Sequence, residues 1–269
     1  MILKSPVQRN QRGLYKEQYK GNITLLDLGG EVNVVRKKGS SEYFTARRLN
    51  KDKINNLELR HENLITAIEL FTEGNIVYAV AENMFLSLSQ IVKSPPFPTA
   101  DEIGIIMGQV RLLSHSHSDD ILDGLVYLRD EGFFHGALSC LDVLINESGS
   151  VKLTTHKAFT RISPDAVDED KKGFADICMM LMQKYTLGNG KVGVQNTERW
   201  KNSPHIIPFL SSTTSCHRVT ELREHPFVSS LWSPESGWPR NILRGLVLTA
   251  QFTVRRDFRH SEECGFKDN

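Results

Sequence analysis

The sequence predicts an α+β fold, a small antiparallel β portion followed by a larger, mainly helical one. Three observations carry this. Short β-branched runs separated by turn signals crowd the first third of the chain. A stiff proline turn, Pro95-Pro-Phe-Pro98, then marks a change of pattern. Beyond it, apolar residues recur at helical spacing.

Residues 1–21 are polar, with few core-forming positions, and are expected to form a flexible leader. Ile23–Leu28 reads as a strand running into the Gly29-Gly30 turn, and Val32–Val35 as its return. Lys37–Ser41 is a polar hairpin turn, Glu42–Leu49 a third strand, and Asn75–Ala81 a further β-branched run ending in Glu82. The β portion is thus placed at 22–83, and the helical portion at 84–231.

Thr99-Ala-Asp-Glu102 has the form of a capping box, with Ile103, Ile106, Met107 and Val110 at helical spacing behind it. Asp120–Glu131, Phe174–Tyr185 and Val219–Glu224 are further helix candidates. The Ser-His-Ser-His-Ser stretch within 111–119 interrupts an otherwise continuous amphipathic pattern and is expected to be an insertion. Residues 232–269 form a C-terminal extension, with an apolar run at Ile242–Leu248 and basic residues at Arg255–Arg259.

Composition excludes several function classes. Thirty-three basic and 32 acidic residues give a net charge of +1, without the basic excess expected of a nucleic-acid binder. No apolar run reaches the length of a bilayer span, so no membrane role is expected. Four cysteines with no C-x-x-C spacing read as reduced thiols in a cytoplasmic or nuclear protein. His115 and His117 followed by Asp119 and Asp120 read as a mobile polar insertion in preference to a metal site.

The segment Gly132–Ile145 carries the chemistry. His135-Gly-Ala-Leu-Ser-Cys-Leu-Asp142 followed by Val143-Leu-Ile145 resembles the protein-kinase catalytic loop H-R-D-L-K-x-x-N and its strand. His135 and Leu138 are retained. Gly136 stands for the arginine, Ala137 for the catalytic aspartate, Ser139 for the lysine and Asp142 for the metal-binding asparagine. Val151-Lys-Leu153 resembles the strand before D-F-G but runs into Thr155-His156-Lys157, which offers no metal-binding carboxylate. Phe44-Thr-Ala-Arg47 resembles the V-A-I-K strand, with Arg47 at the lysine position, and Ala81-Glu82-Asn83-Met84 resembles the hinge of the nucleotide cleft. Leu28-Gly29-Gly30 retains a fragment of the glycine loop. Asp176-Ile-Cys-Met resembles the helix-borne D-x-W-S, and Arg218–Phe227 resembles the R-x-T-x-x-x-L-x-x-H-P-F close of the domain.

The resemblance, covering about Asn22–Phe227, implies a two-lobed serine/threonine protein-kinase-like fold. Between Arg47 and His61 the chain is too short for the helix carrying the lysine's glutamate partner, with Glu58 as the acidic candidate, and no A-P-E follows Ser163-Pro-Asp165. Base, metal ligand and phosphate cradle act as a unit, and their joint loss implies a pseudokinase similar to the STRAD-type adaptors. No catalytic residue is therefore expected at His135, Ala137, Ser139 or Asp142. Gly29, Gly30, Arg47, Glu82 and Met84 would line a vestigial nucleotide cleft. No cofactor is expected; the alternative is ATP with magnesium, with Asp142 as the candidate metal ligand. The implied role is scaffold or allosteric regulator of a protein partner, for instance an active kinase. The rival readings are a divergent kinase using Asp165 or Asp168, a fold that keeps nucleotide as a structural ligand, and a decaying or mis-bounded gene.

Overall fold

The structure, a computed structural model, describes residues 8–10, 14–51, 59–84, 86–108, 121–155, 160–162, 170–231 and 242–253. The 111–119 stretch, Glu58, His156, Lys157, Ser163–Asp165, Asp168 and the basic Arg255–Arg259 run lie outside the described residues.

The fold is α+β. Its β portion is a six-stranded sheet in the order β1-β5-β6-β4-β3-β2. The strands are β1 (Gln8–Asn10), β2 (Tyr19–Leu25), β3 (Val32–Lys37), β4 (Tyr43–Asn50), β5 (Ala67–Glu73) and β6 (Ile76–Glu82), with the short helix α1 (Tyr15–Gln18) between β1 and β2. All pairings are antiparallel except that of β1 with β5. Period-two alternation gives β4 and β6 two different faces. Phe44, Ala46, Tyr78 and Val80 join Val35 and Phe71 in one apolar cluster, while Thr45, Arg47, Ala79 and Ala81 point to the opposite side and line a cavity.

The expectation of a flexible leader is corrected over its described part. Gln8–Asn10 pair in register with Glu69–Phe71, and Tyr15 and Tyr19 are buried in the sheet's apolar cluster. The Tyr15 ring stacks on Tyr78 at 4.4 Å, and its backbone N–H donates to the Glu73 carboxylate at 2.8 Å. Two aromatic rings supply enough apolar area to hold this polar segment down.

The helical portion opens with the two-residue strand β7 (Leu86–Ser87) and helix α2 (Leu88–Lys93), followed by α3 (Ala100–Gly108) and α4 (Ile121–Asp130). The capping box at Thr99 is realised: its N–H donates to Glu102 Oε2 at 2.7 Å and its hydroxyl accepts from the Glu102 N–H at 3.2 Å. Three short strands follow, β8 (Phe133–Phe134), β9 (Val143–Ile145) and β10 (Val151–Leu153), then β11 (Thr160–Arg161), which pairs with β8. Helix α5 (Asp170–Gln183) buries Phe174, Ile177, Cys178 and Leu181 along one stripe. It packs with α6 (Ile206–Ser215) and α7 (Pro226–Ser229) into the largest apolar core, which a last helix at 242–253 enters through Leu243, Leu246, Val247 and Ala250.

Two helix assignments differ from expectation. Val219–Glu224 forms a 3₁₀ helix, because His225 precedes Pro226 and is held extended (ψ 136°), leaving too few residues for α propagation. Helix α6 is not foreshadowed by its Ser-Ser-Thr-Thr-Ser run. There the hydroxyls of Ser212, Thr213 and Thr214 donate back to carbonyls of the preceding turn at 2.9, 2.6 and 2.7 Å.

Candidate functional site

The candidate site is the cleft between the six-stranded sheet and the β9–β10 hairpin. The hairpin has the expected register, Val143 opposite Leu153 and Ile145 opposite Val151. Asn146 Oδ1 organises its turn by accepting from the N–H groups of Ser148 and Ser150 at 3.0 and 2.9 Å. The hairpin is tied to the sheet's flank where Leu153 bridges Leu64 and its N–H donates to the Asn63 carbonyl at 2.7 Å.

The cleft is lined by Leu28, Val32, Arg47, Ala81, Met84 and Leu144, with Thr154 and Thr155 at its floor. Its cavity volume is about 40 Å³. Drug-sized ligand pockets run to roughly 300–1,000 Å³, so the cleft is narrow by that measure. Three alanines, Ala67, Ala79 and Ala81, line it together with the Arg47 side chain.

Arg47 is the main charged group here. Its Nη2 donates to the Leu28 carbonyl at 2.9 Å, and Nη1 to those of Gly29 and Glu31 at 3.2 and 3.4 Å. Gly29 and Gly30 permit this arrangement with φ of 72° and 113°, a region open to residues without a Cβ. Burial lowers the guanidinium to about 10, and the charge of Asp142 opposes that shift. Arg47 therefore stays cationic at neutral pH, with its donors directed at loop carbonyls.

Asp142 is fully buried. Its carboxylate accepts from the Ser139 hydroxyl at 2.6 Å and, more weakly, from the Thr154 hydroxyl at 3.4 Å. Thr155, where the resemblance would place a metal-binding aspartate, donates its hydroxyl to the Ile65 carbonyl at 2.7 Å. Magnesium asks for hard anionic oxygens in octahedral array, and one buried carboxylate beside an arginine does not provide that set. Among the described residues no cluster of three or more His, Cys, Asp or Glu is placed to hold a metal. Among the described residues, Asp142 and Arg47 by themselves do not make up a magnesium or phosphate-chain ligand set.

The loop residues divide by role. His135 is fully buried, and its Nε2 lies 3.2 Å from the Thr154 carbonyl, to which it donates. Ala137 is exposed and does not line the cavity, so it is not brought together with Arg47 and Thr155. Glu82 is directed into an ion pair with Lys152 at 2.6 Å, while its carbonyl accepts from the Thr45 hydroxyl at 2.9 Å. Met84 is buried in the cleft wall with Leu28, Val32 and Leu144. Burial, reinforced by the Asp142 charge, raises the Cys140 thiol to about 12, which keeps it protonated and unreactive.

One residue that organises the loop was not singled out from sequence. Asp170, buried at the start of α5, accepts from the backbone N–H groups of His135 and Gly136, both at 2.9 Å. Asp176, expected in this helix-borne role, instead pairs with Lys172 at 2.5 Å. Gly136 reaches Asp170 in a left-handed conformation, φ 75°. Gly173 allows the close approach, since a Cβ there would sit 2.3 Å from the Leu138 carbonyl oxygen. The signal was present in the sequence as an acid opening the apolar helix three residues before that glycine.

No protein-family model matches the sequence. Over 129 residues the chain is 29% identical to a protein of Dictyostelium discoideum described as a probable serine/threonine-protein kinase. The match covers 43% of this chain and 19% of that protein. The chain thus spans about a fifth of the relative's length. This similarity supports a kinase-like relationship and no narrower assignment.

Proposed function

We propose that the chain is a two-lobed kinase-like domain that transfers no phosphate and serves as a scaffold or allosteric regulator through a protein partner. The observation that carries this reading is the use of the cleft's cation. Arg47 directs its guanidinium to the carbonyls of Leu28, Gly29 and Glu31, where a phosphate-binding cation would need open donors. Ala137 adds no carboxylate at the loop, and Thr155 adds none at the floor of the cleft. Loss of positioning and electrostatic groups that act together removes most of the rate enhancement available to phosphoryl transfer.

The kinase-like relationship of part of the chain favours this frame over an unrelated α+β fold. The likeness to STRAD-type adaptors, an active kinase as partner, and the absence of a cofactor all belong to the same proposal. A radiolabelled-phosphate assay on the purified protein with a general protein substrate and titrated magnesium tests it. No transfer above a no-enzyme control is expected. Turnover abolished by Asp142→Ala would overturn the reading in favour of a divergent serine/threonine kinase.

A further inference from the structure

We propose that Arg47 is an internal clasp that holds the Gly29-Gly30 turn shut over the cleft, with backbone carbonyls taking the place of an anionic ligand. The inference rests on the non-catalytic reading and adds a conformational device to it. Three consecutive features make the clasp. The turn is bent so that the carbonyls of Leu28, Gly29 and Glu31 converge on one guanidinium. The bend depends on Gly29 and Gly30 at positive φ. Leu28 and Val32, on either side of the turn, pack with Met84 and Leu144, so closing the turn also closes the apolar wall of the cavity.

A planar fork with five N–H donors can serve three carbonyls at once, whereas an ammonium on a flexible stem is a compact point charge. Asp142 lies on the hairpin side of the cleft and stabilises the cation from across it. Opening the clasp would enlarge the cavity toward the three alanines, and closing it returns the cavity to about 40 Å³.

Thiol accessibility tests the clasp on the full chain. Ala79 is 7% exposed and lines the cavity, so Ala79→Cys places a reporter thiol behind Arg47. Labelling by a maleimide is followed by peptide mapping, in backgrounds carrying Arg47, Arg47→Lys or Arg47→Met. Loss of several charge-assisted bonds should speed labelling of the reporter by about tenfold or more in Arg47→Met, with Arg47→Lys between the two. Cys178, fully buried in the helical core, is the control and should not change. If Arg47→Met also exposes Cys178, the Arg47→Lys background decides, with faster reporter labelling and unchanged Cys178 expected. Equal reporter labelling with Arg47 and with Arg47→Lys would then overturn the clasp, as would equal labelling in all three backgrounds. That outcome leaves the non-catalytic reading intact, whereas phosphate transfer by the wild-type chain would overturn that reading without altering the labelling.

Discussion

The two faces of the six-stranded sheet are made by the same alternating strands and end in opposite states. On one face Phe44, Phe71, Tyr78, Val35, Ala46 and Val80 are closed by Tyr15 and Tyr19 into a layer of packed rings. On the other, Ala67, Ala79 and Ala81 are too small to fill the space and Arg47 occupies what remains. The first face is an apolar core whose contacts depend on shape. The second is a cleft whose contacts are a cation and backbone oxygens. The difference teaches that stability and chemistry are carried on separate sides of one sheet, so catalytic groups could be lost from the cleft side without loosening the ring layer.

Truncating the ring layer should have the largest effect. Phe71 is 1% exposed, and Phe71→Ala is expected to cost about 3–5 kcal/mol in urea unfolding. Asp170→Ala should follow, at about 2–3 kcal/mol, because the buried His135 N–H and the part-buried Gly136 N–H would lose their acceptor. A comparable loss from Asp176→Ala, whose carboxylate pairs with Lys172, would show that the loop does not depend on Asp170 in particular.

The ring layer also makes stability pH-dependent. Burial raises the Tyr15 phenol to about 12, with Tyr78 adding to the shift, and burial together with Glu69 raises Tyr19 further. An unfolded tyrosine titrates near ~10. Between that value and about 12 the folded chain keeps the Tyr15 proton that the unfolded chain has lost, so the Tyr15 contribution to stability is fully present below about pH 10 and is lost as pH rises through this window. Tyr15→Phe should shallow the fall, measured as the urea midpoint across the alkaline range; an unchanged slope would show that the ring is not packed as described. The smallest effect belongs to the exposed loop position. Ala137→Asp should shift stability by no more than about 0.5 kcal/mol, and should not create phosphate transfer, since the base is only one part of the missing unit.

Part of this was legible in sequence. The alternation in Phe44-Thr-Ala-Arg47 separates ring-layer residues from cleft residues, and the Val143–Leu153 hairpin and the Thr99 capping box follow from local pattern alone. Other parts depend on distant contacts. A three-residue strand and a four-residue helix carry no periodicity of their own, so the segment up to Tyr19 reads as leader until Tyr78 and Phe71 are seen beneath it. The Asp170 contact crosses 35 positions, so an acid opening an apolar helix shows its role only once the loop is folded against it. Arg47 was legible as a cleft cation. Its engagement by the Leu28–Glu31 carbonyls depends on a turn conformation that the glycines permit but do not announce.

The most direct measurement for the proposed non-catalytic reading is the thermal unfolding midpoint of the wild-type chain in saturating ATP with and without magnesium. An unchanged midpoint is expected in both conditions, because the cation is directed to carbonyls and no carboxylate set receives the metal. A ligand present at about 100 times its dissociation constant would stabilise the fold by ~2.7 kcal/mol. A magnesium-dependent rise of that size would contradict the account.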